Sequence, residues 1–368
     1  MKILYVANIH RHFNAFHKPY LKLLSEMGHE VHVVANGDDK VFEAKKQFWV
    51  DIQRSPYKFK NIKAYFQLKR LIESESYDVV HCHTPMGGIL GRLASITSKK
   101  KGMKVIYTAH GFHFCKGGPK KNWLLYYPVE KFMSKYTDVI ITINNEDYRI
   151  AEKFNVPYHF AIPGIGLEID KFKEISNDFN RQDKREEIGV NSDDVLITSI
   201  GDLSIRKNHQ VIIKAIADLP YNRVKYAICG KGEELESLKN LSVKLGISDR
   251  VLLLGFRKDI KELLKASDIF AFPSLWEGLG IAGIEAMAAG VPVIASDRHG
   301  IKDYAIDGET ALLCDPKSPK EFANAIQLLI EKNELASKLV NNSYNVIYNF
   351  DISNAMKAMK DIYETILT

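Results

Sequence analysis

Short apolar runs alternate with longer amphipathic stretches along the whole chain. KILYVANI (2–9), HEVHVVAN (29–36), DVVHCHT (78–84), KVIYTAHG (104–111) and DVIITIN (138–144) read as strands. Between them, AFHKPYLKLLSEMG (15–28), IKAYFQLKRLIESESY (62–77), GGILGRLASITSKK (87–100), LLYYPVEKFMSKY and NNEDYRIAEKF (144–154) carry helical periodicity. Pro128 marks either a break or a start in its helix. Strands buried on both faces read as continuous apolar runs, and strict strand–helix alternation places them in an open parallel sheet covered by helices.

The pattern breaks at IPGIGLEIDKFK (162–173), where Pro163, Gly164 and Gly166 cluster before the polar run EISNDFNRQDKREEIG. Alternation restarts near DDVLITSIGDLS, with strands expected at 195–201, 224–230, 250–256, 268–274, 291–296 and 311–314. The fold class expected is therefore α/β, with two doubly wound, Rossmann-like parallel-sheet domains facing a cleft. A first domain spans 1–170, a linker 171–190 and a second domain 191–350. The amphipathic run ISNAMKAMKDIYETILT (352–368) closes the chain.

Length supports this division: 368 residues, 46% of them hydrophobic, suffice for two cores. Cys82, Cys115, Cys229 and Cys314 lie far apart and form no CxxC, so neither a zinc site nor a disulfide framework is expected, and a reducing cytoplasm is the simplest home. The apolar start is too short for a signal sequence, and no long apolar run suggests a membrane span. A soluble or peripheral protein is expected.

The net charge of +6 is modest, but lysines bunch at Lys99, Lys100, Lys101 and Lys104, then at Lys116, Lys120, Lys121, Lys131 and Lys135. KKNWLLYYPVEKFM (120–133) interleaves them with aromatic residues. That stretch suits either an anionic membrane face or a solvated helix with snorkelling lysines. No nucleic-acid-binding pattern appears, and no nucleic-acid partner is expected. The histidines of the first half (His10, His12, His17, His81, His83, His110 and His113) show no metal-specific spacing.

The most informative segment is SLWEGLGIAGIEAMAAGVPVIAS (274–296). Glu277 and Glu285 flank a glycine-dense turn that opens a helix. The unpaired N–H groups and dipole of a helix N-terminus suit a diphosphate, and flanking carboxylates accept from hydroxyls. An ordinary αβ unit with a solvated Glu277 has the same spacing. GDLSIRKNHQ (201–210) places Arg206 and Lys207 after a strand, where open sheets bind ligands. The first strand is followed by ANIHRHF, which lacks the glycines of a dinucleotide fingerprint.

The 274–296 segment resembles the E-x7-E signature of family 4, the large retaining family of GT-B glycosyltransferases. The resemblance covers nearly the whole chain. It implies a nucleotide-sugar donor, expected to be a UDP-sugar, and transfer with retention and no metal or other cofactor. Lys207 matches the lysine of the family's G-R-L-x-x-x-K pattern, whereas Asp202 stands where its arginine is expected. Either Arg206 supplies the second positive charge, or Lys207 and backbone N–H groups hold the diphosphate.

The resemblance further implies that the turn Gly278, Leu279, Gly280 and Ile281 meets the phosphates. Glu277 would grip donor-sugar hydroxyls, and Glu285 would accept from the ribose. Gly230 and Gly232 in ICGKGEE would let the ligand approach closely, and backbone groups at Phe256 and Arg257 would read the base. His110, in TAHG, would hydrogen-bond the donor hexose near its C6 hydroxyl. In such enzymes the final helix crosses back to the first domain, which here implies packing by Tyr363 and Ile366.

The stretches HFNAFHKPYLKLLSEMGHEVHVVANG, HCHTPMGG and TAHGFHFCKGGPKKNWLLYYPVEKFM are similar to bacterial enzymes of capsule and exopolysaccharide assembly. That similarity implies a polyprenyl-diphosphate-linked saccharide acceptor and a peripheral position on the inner face of the cytoplasmic membrane. The competing readings are a glycosyltransferase with a soluble acceptor, another activity on the same fold such as an epimerase, and a non-catalytic nucleotide-sugar-binding protein.

Overall fold

A computed structural model describes residues 1–176 and 178–367. Positions 177 and 368, within the expected linker and closing run, lie outside the described residues. The chain divides into two compact units: Met1–Gly166 with the stretch from Ser353 onward, and Leu167–Ile352.

The first unit is built on seven strands: β1 (Lys2–Ile9), β2 (Glu30–Asn36), β3 (Lys46–Trp49), β4 (Val79–His83), β5 (Lys104–Ala109), β6 (Val139–Thr142) and β7 (Tyr158–Ala161). They pair in parallel in the order β3-β2-β1-β4-β5-β6-β7. Val6, Val34 and Cys82 stand across neighbouring strands and enter one core with Leu68, Leu90, Tyr107 and Phe114. The second unit has six: β8 (Val195–Ile200), β9 (Val224–Cys229), β10 (Val251–Gly255), β11 (Ile269–Phe272), β12 (Val293–Ser296) and β13 (Leu312–Cys314). Their order is β10-β9-β8-β11-β12-β13, again parallel.

Each sheet reverses its winding once, between β1 and β4 in the first and between β8 and β11 in the second. Connections leave such a pair of strands in opposite directions. A crevice opens at their carboxyl ends, and that is where open α/β sheets bind ligands.

Several elements differ from expectation. Edge strands β3 and β7 escape sequence reading because half or more of their residues are exposed or half-exposed, so neither is a buried apolar run. The helix expected over 15–28 is two, His10–Phe16 and Lys18–Glu26. Pro19 lacks the N–H that a continuous helix needs there, and its fixed φ suits a new first turn. The polar stretch 171–190 belongs to the second unit and contains the helix Arg181–Glu187, capped by Asn180, whose side chain accepts from the Gln182 and Asp183 N–H groups. Pro128 lies inside one continuous helix, Lys120–Met133.

The closing helix Ile352–Leu367 contributes Ala355, Met359, Ile362 and Tyr363 to buried positions. The Tyr363 hydroxyl lies 2.7 Å from His81 Nδ1 and donates to the Tyr5 hydroxyl at 3.1 Å. Ile366 is also buried. All four cysteines are buried and free.

Candidate active site

In the second unit the loop after β8 carries Arg206 and Lys207 to the switch point, and the loop after β11 carries Glu277 to the same place. Lys207 Nζ lies 2.8 Å and Arg206 Nη1 2.5 Å from Glu277 Oε1. Arg206 also reaches Asp202 Oδ1 at 3.2 Å and the Trp276 carbonyl at 3.4 Å. Lys207 Nζ stands 4.9 Å from the centroid of the Phe272 ring. Lys207 and Glu277 are both buried. Burial alone would raise the Glu277 carboxyl, but Lys207 and Arg206 overcome it and hold the group below the usual carboxylate range. Glu277 is therefore an ionised, acceptor-only group at neutral pH.

The backbone fixes this trio. Asn208 adopts a left-handed conformation with φ of 56°. Its side-chain amide donates to the carbonyls of Pro273 at 3.1 Å and Pro316 at 2.8 Å. Leu275 N–H donates to the Arg206 carbonyl at 2.8 Å. The two loops are thus tied together at each side of the charged residues. Asparagine is among the few residues that tolerate this conformation.

Gly278, Leu279 and Gly280 lead into the helix Ile281–Ala288. Gly280 has φ of 84°, and a Cβ there would come within 2.5 Å of the Phe272 ring. Tyr304 donates to the Gly280 carbonyl at 3.0 Å and holds the turn from below. Glu285 lies on the following turn, half-buried. Burial raises its carboxyl to about 7, with Lys207 opposing the shift.

The two glycines expected to admit a ligand are placed differently. A Cβ on Gly230 would sit 1.7 Å from the Gly201 carbonyl oxygen, and one on Gly232 would sit 2.2 Å from that of Leu203. The space at both glycines is filled by neighbouring backbone, so they bring two loops of the chain together. Phe256 is exposed. Arg257 pairs with Glu187 and Asp259, each at 2.5 Å, and these side-chain hydrogen bonds raise its already high pKa. Its guanidinium is committed within the fold.

In the first unit, His110 follows β5 and is joined by residues from three other segments. His12 lies on the helix after β1, His17 at the junction of two helices, and His83 at the end of β4. His17 Nε2 is 3.2 Å from His12 Nε2, and His83 Nδ1 is 3.2 Å from His110 Nε2. Burial pushes His17, His83 and His110 well below the usual histidine range, and neighbouring imidazoles add to the effect. His12 falls to about 4 through burial and the charge of Arg54. His81 is bonded differently: its ring nitrogens meet Tyr363 and Thr108 hydroxyls, each at 2.7 Å. His10 likewise has both ring nitrogens within bonding distance of backbone carbonyls, those of Gly37 and Phe48.

The helix Lys120–Met133 is anchored by one buried ion pair. Arg92 Nη2 lies 2.8 Å from Glu130 Oε2, and the guanidinium packs over Tyr107 at 3.9 Å. Tyr127 packs against Phe114 and Phe154 and so belongs to the core side. Leu124, Leu125, Tyr126, Val129 and Phe132 are exposed, as are Lys116, Lys120 and Lys121. Lys99, expected on the same surface, pairs instead with Asp138. Among the described residues no helix is long and apolar enough to cross a membrane.

A concavity of about 860 Å³ lies elsewhere, lined by Met1, Tyr77, Asp78, Lys104, Asp138 and Tyr158 among others. It sits at the amino ends of the strands, the wrong end of a parallel sheet for ligand binding.

Comparison with known proteins identifies the family. Residues 180–346 match the family model described as glycosyl transferases group 1, and residues 2–144 match that of glycosyl transferase 4-like proteins. EpsD of Bacillus subtilis (strain 168) is 42% identical over 368 residues, covering 98% of this chain and 96% of EpsD. An Escherichia coli UDP-Gal:alpha-D-GlcNAc-diphosphoundecaprenol alpha-1,3-galactosyltransferase is 31% identical over 313 residues, covering 83% of this chain and 79% of that protein. Among solved structures, Anabaena HepE in complex with UDP-glucose superposes with a TM-score of 0.82 at 20% identity, covering 99% of this chain and 100% of that one. The chain belongs to the group 1, family 4-like glycosyltransferases and has their GT-B fold of two Rossmann-like parallel-sheet domains.

Proposed function

We propose that this chain transfers a hexosyl or N-acetylhexosaminyl group, with retention, from a UDP-sugar to a lipid-diphosphate-linked saccharide during exopolysaccharide assembly. The observation that carries the reading is the convergence of Arg206, Lys207 and Glu277 beside the N-terminus of the helix Ile281–Ala288. The E. coli relative, whose name gives a UDP-sugar donor and a diphosphoundecaprenol-linked acceptor, supports the substrate classes.

The bond between the sugar C1 and the diphosphate oxygen breaks, and its electron pair leaves with the UDP. Lys207 and Arg206 stabilise the negative charge that builds there, and the N–H groups of the turn from Gly278 to Ile281 assist. Because the cations are already held by Glu277, little reorganisation is needed when that charge appears. Glu277 accepts from donor-sugar hydroxyls, and Glu285 from the ribose. Backbone groups near Phe256 and Arg257 meet the base. The acceptor hydroxyl bonds to C1 on the face that the diphosphate leaves, and its proton passes to the departing phosphate oxygen. No residue is required as a covalent nucleophile, and the charge on the diphosphate is met without a metal ion.

The acceptor's lipid tail places the enzyme at a membrane. We assign the contact to the exposed face of Lys120–Met133 and its lysines, on the cytoplasmic side.

A screen of UDP-, GDP- and ADP-sugars tests the reading, with nucleotide release measured in the presence of an undecaprenyl-diphosphate-linked monosaccharide. The expected result is acceptor-dependent UDP release and an α-linked product. Release no greater than without acceptor for every donor would overturn it.

A further inference from the structure

We infer that Tyr304 is a positioning residue for the donor diphosphate: its hydroxyl fixes the peptide between Gly280 and Ile281 so that the Ile281 N–H is aimed at the phosphates. Tyr304 follows β12 in the chain, and its side chain is fully buried. The hydroxyl donates to the Gly280 carbonyl at 3.0 Å, and the Gly283 N–H donates to the same oxygen at 3.0 Å. Both lone pairs of that oxygen are thereby used. In a trans peptide the C=O and the N–H that follows it point to opposite sides. A carbonyl held back toward the helix Ile281–Ala288 therefore sends the Ile281 N–H out beyond the helix N-terminus, the direction from which an anion is bound.

The surrounding residues are shaped to this phenol. A Cβ on Gly283 would stand 2.3 Å from the Tyr304 hydroxyl, and one on Gly280 would stand 3.3 Å from it. Alanine is the better helix former, so Gly283 stands against helix preference at the place where the hydroxyl lies. On its other side the Tyr304 ring meets Phe350 edge-on, with 6.1 Å between centroids. The Thr310 hydroxyl donates to the Tyr304 carbonyl at 2.8 Å, so backbone and ring are both held.

The same segment holds the other end of the turn. The Gly300 N–H donates to the Glu277 carbonyl at 3.2 Å, and a Cβ on Gly300 would stand 1.9 Å from the Gly278 carbonyl oxygen. His299, just before it, adopts φ of 49°, a left-handed conformation that few residues other than glycine take up. Such a conformation persists where the surrounding structure over-determines it. Residues 299–304 thus grip the turn at Glu277 and again at Gly280.

Burial and the charge of Glu277 push the Tyr304 phenol well above its usual range, so it stays protonated and remains a donor at neutral pH. A donor N–H fixed in advance meets developing negative charge without reorganisation. Tyr304 touches no substrate atom in this role and acts through Ile281. The role rests on the proposed UDP-sugar donor.

The test separates recognition of the phosphates from recognition of the nucleoside. UDP binding to the full chain is measured by calorimetry and uridine binding by ligand-observed NMR, with thermal unfolding alongside. Tyr304→Phe should weaken UDP by about five- to tenfold, the range of one hydrogen bond, and leave uridine unchanged. Tyr226→Phe removes another buried hydroxyl of the same unit, one that donates to Ser199 Oγ at 2.8 Å, and should lower the unfolding temperature with both ligands unaffected. Should Tyr304→Phe fail to fold, Gly283→Ala displaces the hydroxyl from the helix side and should show the same selective loss. Unchanged UDP affinity, a matching loss for uridine, or an equal UDP loss in Tyr226→Phe would overturn the role of Tyr304 and leave the donor reading standing. A wild type that binds UDP no more tightly than uridine would overturn the donor reading and this role with it.

Discussion

The two units present chemistry at the same topological place and manage charge in opposite ways. At the switch point of the second sheet, Arg206, Lys207 and Glu277 are ionised and compensate one another at short range. At that of the first sheet, burial lowers His12, His17, His83 and His110 below the usual histidine range, with neighbouring imidazoles adding to the effect at the last three and Arg54 at His12. The paired site holds its two cations in fixed positions, as the proposed diphosphate role requires. The neutral site keeps lone pairs available instead. One fold repeated twice thus supplies two kinds of binding chemistry, and the difference lies in the loops rather than in the sheets.

The strongest way to break the contrast is to remove the buried cation. Lys207→Ala should lower turnover by roughly a factor of 100 to 1,000, the loss typical of deleting one donor to a developing anion. Single-turnover measurement at saturating donor checks this. Arg206→Ala is expected to lose less, because Arg206 is more exposed and shares its charge with Asp202. A fully active Lys207 variant would remove the electrostatic basis of the donor site. A fully active Arg206 variant would show that Arg206 does not replace the arginine absent at position 202.

Glu285 sharpens the comparison, because it lies in the charged unit and yet is governed by burial. Its carboxyl is raised to about 7. The unliganded site therefore holds a proton below that pH and releases it above. If the carboxylate accepts from ribose, UDP-glucose affinity should rise as pH increases through about 7. The donor's diphosphate diester does not titrate in this range, so calorimetry from pH 6 to 8 isolates the side chain. Glu285→Gln should abolish the pH dependence and weaken binding by about 1.5–3 kcal/mol. An unchanged pH profile in the variant would count against the ribose role.

How far this was legible from sequence follows from the same contrast. Central strands such as β1, β4, β8 and β11 are apolar runs with one reading. β3 and β7 are edges whose exposed residues give no such signal. Lys207 and Glu277 stand in loops with recognisable spacing, but the contact of Glu277 with Lys207 and Arg206 emerges only when two loops are joined through Asn208. Gly230 and Gly232 were recognisable as points of close approach, whereas what approaches them is backbone. The histidine cluster had no linear pattern, because its members come from two helical segments and two strand ends. Tyr127 could not be sorted from Tyr126 by type. Packing against Phe114 and Phe154 sorts it.

The smallest expected effect concerns surface charge, where the two units should again differ. The helix Lys120–Met133 is fixed from inside by the Arg92–Glu130 pair and Tyr127, so its outer face is a stable feature. That face carries Leu124, Leu125, Val129 and Phe132 beside exposed lysines. A lysine near an anionic bilayer contributes about 1 kcal/mol, which is about a fivefold change in partitioning, and the attraction fades beyond a Debye length. Lys121→Ala should therefore reduce co-flotation with phosphatidylglycerol-containing vesicles by about that factor at low salt and by less at physiological salt. Lys214→Ala, on the exposed side of the helix His209–Ala217 in the second unit, should leave flotation unchanged. Because Lys121 lies in the other unit from the proposed donor site, UDP-glucose binding should be the same in both variants. Equal flotation by wild type and Lys121→Ala would argue that this helix is solvated. A loss in both variants would show only a general response to net charge, with no preferred face.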